Sequence, residues 1–278
     1  MELRSDTAMV VLSGGQDSTT CLGWALTRYT YVHAVSFDYG QKHKIELKSA
    51  RRVVDFFQLT TGRTIPHEII PIGNIFAGAS PLTNIVEQLE LYSNFEEMDA
   101  IIGDRIEKTF VPMRNAVFLM LAANRAVVAG CGALITGVCQ ADNANYPDCR
   151  ESFVASAERT IREALGVEYG RFHIATPLMH LSKADSIRLA LELHWTYAAL
   201  AFSHTAYNGE YPPTGKDHAS VLRAHGFREA DVPDPLVLRA WAEGRMELPE
   251  TPNYRPEKIE WSRNYLSFPD DFDKFWDK

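Results

Sequence analysis

Long apolar runs are missing from this sequence. No stretch approaches the roughly 18 to 20 uninterrupted apolar residues that cross a bilayer, which excludes a membrane-spanning helix. The opening Met1-Glu2-Leu3-Arg4-Ser5-Asp6 lacks the apolar region of a secretory signal, so the expected location is cytoplasmic. Cysteine is scarce: Cys21, Cys131, Cys139 and Cys149 show no CxxC spacing, so neither a disulfide framework nor a structural zinc motif is predicted, and reduced, mostly buried thiols are expected. Positive charge is in deficit. A formal net charge of -8 argues against a dominant nucleic-acid surface, although a local basic pocket can still hold phosphates. Walker A Gly-Lys-Ser/Thr, GxGxxG and internal repeats are also lacking.

What remains is a 278-residue chain, 46% hydrophobic, enough for a sizeable core in one large domain or a domain with an appendage. Thr7 to Leu12 is apolar without alternation, as in a strand buried on both faces of a parallel sheet. A helix is predicted over Asp17 to Tyr29 and a second strand over Tyr31 to Phe37. Leu47, Ala50, Val54 and Phe57 recur at helical spacing, and His67 to Ile72 reads as another strand. Then follow a helix over Arg114 to Gly130, a strand over Gly132 to Val138, a helix over Asp148 to Leu165, a strand over Arg171 to Ala175 and a helix over Ser182 to Leu193. This alternation predicts a doubly wound α/β fold with a parallel sheet, whose sites lie at the carboxyl ends of the strands.

Residues 73–108 interrupt the pattern with mixed polar and acidic sequence, and an inserted lid is expected there. From Asn208 onward prolines and aromatics dominate. The predicted division is a catalytic region over 1–207 and a C-terminal region over 208–278, whose Trp241, Tyr254, Trp261, Tyr265, Phe268, Phe272, Phe275 and Trp276 are expected to pack on the body or on another subunit.

The chemistry is carried by Ser13-Gly14-Gly15-Gln16-Asp17-Ser18, placed after a buried strand and before a helix. Two glycines let backbone amides approach an anion closely, and the following helix directs its partial positive charge onto it. A simple tight turn is the bland alternative, and the full hexapeptide in that context disfavours it.

This hexapeptide resembles the PP-loop of ATP pyrophosphatases, which belong to the adenine nucleotide alpha hydrolase-like fold. The chain as a whole is similar to the QueC family of 7-cyano-7-deazaguanine synthases. The matching blocks are Leu12 to Cys21, Phe37-Asp38-Tyr39-Gly40-Gln41, Phe110 to Asn115, Gly137-Val138-Cys139-Gln140, Tyr146 to Arg150, and Thr176-Pro177-Leu178-Met179 with Lys183-Ala184. The resemblance implies an ATP-dependent C–N ligase that releases AMP and pyrophosphate. It would adenylate the carboxylate of 7-carboxy-7-deazaguanine, form an amide with ammonia and dehydrate that amide to the nitrile after a second activation. It further implies that Ser13, Gly14, Gly15, Gln16, Asp17 and Ser18 hold ATP phosphates, with Asp17 a candidate ligand of Mg²⁺. Arg114 and Lys183 would neutralise the phosphates, and Gln140, Asp142, Tyr146, Asp148 and Arg150 would read the deazaguanine. Alone, Arg114 could be a solvated helix start, Lys183 a surface residue and Asp148 a helix cap.

Proteins of this family carry four zinc-binding cysteines at positions that here read Ala206, Thr214, Asp217 and Ser220. Such a set holds no thiolate, so no zinc site is expected. A substitute built from His204, Asp217 and His218 is disfavoured. Asn143-Ala144-Asn145 and the aromatic tail also depart from the family pattern. These departures favour a second substrate other than ammonia: relatives in antiviral systems such as type IV CBASS and Qat join a deazaguanine to a protein amino terminus. The alternatives are the ammonia-using synthase, a non-catalytic nucleotide-binding scaffold, and activation of another acid as in tRNA-thiolating relatives, which the Gln140 to Arg150 match disfavours. A homodimer is implied by the resemblance; direct nucleic-acid or membrane partners are not expected.

Overall fold

The computed structural model describes residues 2–41, 45–84, 86–140 and 145–266. Five parallel strands form the sheet, in the order β3-β2-β1-β4-β5. They are β1 (Arg4–Val11), β2 (Tyr31–Asp38), β3 (His67–Pro71), β4 (Cys131–Ile135) and β5 (His173–Ala175). Central β1 pairs Ala8 with Val32 on one side and with Ala133 on the other. All five β4 residues are buried, which is why neither strand shows polar alternation.

The helices α1 (Gln16–Leu26), α2 (Ile45–Thr61), α4 (Arg114–Val128), α5 (Glu151–Leu165), α6 (Lys183–Glu192) and α7 (Thr196–Ala199) cover both faces. One face buries Leu22, Phe56, Phe57 and Phe202; the other buries Leu119, Leu134 and Phe172. The chain winds from β1 outward to β3 and then returns to β4, so the strand order switches direction between β1 and β4. Their carboxyl ends open a crevice there, the usual place for a ligand in such sheets.

Several boundaries differ from the sequence expectation, two of them at the site. The strand predicted to reach Val138 ends at Ile135, because the chain leaves the sheet to approach the first loop: a Cβ on Gly137 would lie 3.1 Å from the Asp17 carbonyl carbon. The helix predicted from Asp148 starts at Glu151, after a 3-10 turn at Pro147–Cys149 and an extended Arg150.

Within 73–108, α3 (Phe95–Ile102) is capped by Asn94, which accepts from the Glu97 amide, and Tyr92, Met98 and Ile102 pack on Val221 and Leu222 of α8 (His218–Glu229). The expected lid is thus seated on a C-terminal helix. That helix, together with α9 (Pro235–Ala242) and α10 (Pro256–Arg263), continues the core of the body, with Phe227 and Val232 packing on Ile187, Tyr197 and Leu200. A buried Arg223 bonds Asp234 at 2.6 and 2.8 Å and Ser203 at 2.8 Å, pinning α8 down. Trp261 and Tyr265 stack edgewise on Tyr197, as the aromatic texture predicts, whereas Phe268, Phe272, Phe275 and Trp276 lie outside the described residues. No disulfide joins the four cysteines, and Cys149 alone of them is partly exposed. Among the described residues no helix is long and apolar enough to cross a membrane.

Candidate active site

A cavity of about 500 Å³ occupies the crevice between β1 and β4. The first residues of four helices line it: Gln16 of α1, Arg114 of α4, Lys183 of α6 and His218 of α8. Helix amino ends carry partial positive charge, so their convergence makes the cavity an anion site in an acidic protein.

The four ends are not equivalent. Ser182 caps α6 by accepting from the Asp185 amide, and Asp217 caps α8 by accepting from the Ser220 amide. At α4 the Asn115 amide donates to Asp148 at 3.2 Å. At α1 the cap position is Gly15, whose lack of a side chain leaves the first amides without a side-chain cap. Ser13, one step before the glycines, bonds Ser18 Oγ at 3.1 Å and accepts from the Gly15 amide at 3.3 Å. Gly14 holds φ at +87°, and a Cβ there would lie 2.6 Å from the Ala50 nitrogen of α2, so only glycine fits.

Lys183 reaches Asp17 with Nζ 3.0 and 2.9 Å from its two carboxylate oxygens. This ion pair joins α6 to the loop and fixes both groups on the cavity wall. Opposite them, Met113 adopts φ 65° and ψ 3°, a left-handed turn that starts α4 at Arg114. The Arg114 guanidinium has no carboxylate within salt-bridge distance among the described residues. Burial works against its charge, yet its pKa lies above the ordinary arginine value beside Tyr39, Tyr146 and Tyr207, and a guanidinium keeps its proton at neutral pH. A cation at a helix amino end is disfavoured by the helix dipole unless an anion joins it.

The structure brings together Ser13, Gly15, Gln16, Asp17, Ser18, Arg114, Gln140, Tyr146, Arg150 and Lys183 on this one wall system. Gly14 lies behind it, with its carbonyl accepting from the His204 amide at 2.8 Å. Asp148 does not line the cavity: both its oxygens are engaged by Asn115 in the first turn of α4, not by the following helix that the bland reading had it cap, whose cap position is Arg150. Asp142 is outside the described residues. Gln140 accepts from the Glu151 amide at 3.2 Å, and the Tyr146 hydroxyl lies 2.6 Å from Thr109 Oγ1 and 3.3 Å from Glu107 Oε2.

Sequence reasoning missed Tyr39, Glu46 and Tyr207, and named His218 only as a disfavoured substitute metal ligand. Tyr39 lay in a quoted block, but the others carry no local signal. Burial pushes the Glu46 carboxyl up to about 7 against the pull of Arg114. Burial likewise pushes the Tyr39 phenol up to about 12, and it raises Tyr146 and Tyr207 still further, so these rings present neutral hydroxyls. At the positions where the family has zinc cysteines, Ala206 is buried, Asn208 donates to Thr214 at 3.2 Å, and Ser220 Oγ donates to Asp217 at 2.7 Å. Hydrogen bonds hold this segment.

Comparison with known proteins identifies the family. The family model described as queuosine biosynthesis protein QueC matches residues 7–231. The 7-cyano-7-deazaguanine synthase of Gloeobacter violaceus is 46% identical over 231 residues, covering 82% of this chain and 94% of that protein. The synthase of Laribacter hongkongensis is 46% identical over 237 residues, covering 84% and 94%. Among solved structures, the NH3-dependent NAD synthetase of Campylobacter jejuni aligns over 95% of this chain and 85% of that one, at 16% identity and a TM-score of 0.37. With a family model over residues 7–231 and relatives 46% identical over more than four fifths of its length, the chain belongs to the QueC family.

Proposed function

We propose that this protein is a 7-cyano-7-deazaguanine synthase, which uses ATP to activate the carboxylate of 7-carboxy-7-deazaguanine and ammonia to convert it, through the amide, to the nitrile. The observation that carries this reading is the pairing, across one cavity, of the uncapped amino end of α1 with the buried cation of Arg114. The names of relatives at 46% identity supply the product, 7-cyano-7-deazaguanine.

A ring-conjugated carboxylate is a poor acyl donor until its oxygen becomes a good leaving group. Its oxygen attacks the α phosphorus of ATP, the bond to the β phosphate breaks, and pyrophosphate departs. The amides of α1, Lys183 and Arg114 offset the charge that builds on the departing group. The donor chemistry fits Mg²⁺: Asp17 brings a hard carboxylate to the cavity wall beside Lys183, and Mg²⁺ would take its remaining ligands from phosphates and water. When bound, the ion would neutralise phosphate charge. Tyr146, Arg150 and Gln140 form the wall assigned to the deazaguanine, by ring stacking and hydrogen bonding.

Conjugation to a protein amine has less support. That reading leaned on the lost zinc cysteines, but the segment bearing them is closed internally by Asp217, Ser220, Asn208 and Thr214, and needs no partner to hold it. Incubation with ATP, Mg²⁺, the carboxylate and ammonium should yield the nitrile by mass spectrometry. Accumulation of amide alone, with no nitrile at any ammonium concentration, would contradict the synthase reading.

A further inference from the structure

His218 opens α8 and faces the same cavity as Lys183 and Tyr207. It is 4% exposed, and neither ring nitrogen has a hydrogen-bond partner among the described residues. Buried imidazole nitrogens normally find a partner, so a ring left wholly unmatched against a ligand cavity is poised to meet a group that the ligand brings. The charged groups around it are Glu107, Lys183 and Asp217. All three are already engaged: Lys183 bonds Asp17, Ser220 takes both Asp217 oxygens, and Thr109 and Tyr146 bond Glu107. Burial first, and then Lys183, lower the imidazole pKa against the opposing pull of Glu107 and Asp217. The ring is therefore neutral at neutral pH and able to accept a proton.

We propose that His218 is the base that removes the proton from the nitrogen nucleophile as it attacks the acyl adenylate, an inference that rests on the amide-forming reading above. The ammonia lone pair forms the C–N bond at the acyl carbon. One N–H proton passes to a ring nitrogen of His218, the acyl C–O bond breaks, and AMP leaves with that oxygen and its electron pair. The imidazolium then returns its proton to solvent. Asp17 and Lys183 stay on the phosphate side, so adenylation does not need the imidazole. The two half-reactions thus draw on different helix ends.

The test uses His218→Gln and His218→Asn in the full-length protein with two readouts. One is carboxylate-dependent exchange of labelled pyrophosphate into ATP without ammonia; the other is amide formation per free ammonia across pH. The expected result is retained exchange, amide formation lowered by about 10²-fold or more, and loss of the rise in rate that the wild type shows as His218 deprotonates. Amide formation at the wild-type rate would overturn the proposal. So would exchange and amide formation falling together, which would make His218 a binding or structural residue. A wild-type protein that exchanges no pyrophosphate would overturn the amide-forming reading itself, and this inference with it.

Discussion

The amino ends of α1 and α8 face the same cavity but are finished in opposite ways. At α1 the cap position is a glycine and the amides are left open to whatever occupies the cavity; at α8 the Asp217 carboxylate closes the amides and the helix offers its first side chain, His218, instead. Carboxylate caps and phosphates compete for the same amides, so an open end is an anion site and a closed end is a platform for a side chain. The two ends of one cavity thereby divide phosphate binding from side-chain chemistry.

Closing the open end should have the largest effect. Gly15 has φ −82° and ψ 173°, and a Cβ there meets nothing nearer than 3.4 Å, so Gly15→Asp is sterically allowed. It would cap α1 and place a carboxylate where phosphate belongs. Folding stability should hold or rise by up to about 1 kcal/mol, while ATP affinity, measured by calorimetry, falls on the order of 10³-fold. Next comes the cation opposite. Arg114→Met should lower carboxylate-dependent pyrophosphate release by about 10²-fold, with thermal unfolding little changed because no ion pair is lost.

Opening the closed end should do much less to nucleotide binding. Asp217→Ala removes the acceptor of the Ser220 amide and hydroxyl, and urea unfolding should show a loss of about 1 to 2 kcal/mol, with ATP affinity unchanged. The smallest effect concerns Glu46. Its folded carboxyl keeps its proton up to about 7, whereas the unfolded chain releases it in the ordinary carboxylate range. The folded state therefore binds more protons between those limits, and stability falls as pH rises through them. Glu46→Gln should flatten that part of the stability–pH curve; an unchanged slope would place the source elsewhere.

The open end was legible in the sequence because its parts are contiguous: a buried strand without alternation, two glycines and a helix. The doubly wound alternation was legible for the same reason, since each strand and helix carries its own period. The closed end was not. Nothing near His218 signals that α8 will turn its first residue toward α1, because that depends on Arg223 bonding Asp234 and Ser203. Glu46 is hidden by the packing of α2 against Gly14, a contact between segments far apart in sequence. Asp148 shows the converse. Its residue type and its loop suggested base recognition, but a sequence does not reveal that Asn115 has already taken both its oxygens.

The central claim is that the cavity makes an acyl adenylate. It is tested most directly by supplying 7-carboxy-7-deazaguanine with heavy oxygen in its carboxylate, together with ATP, Mg²⁺ and ammonium, and locating the label in the products. The account predicts heavy oxygen in AMP, with pyrophosphate unlabelled. Label appearing in inorganic phosphate beside ADP would mean attack at the γ phosphorus and would contradict it.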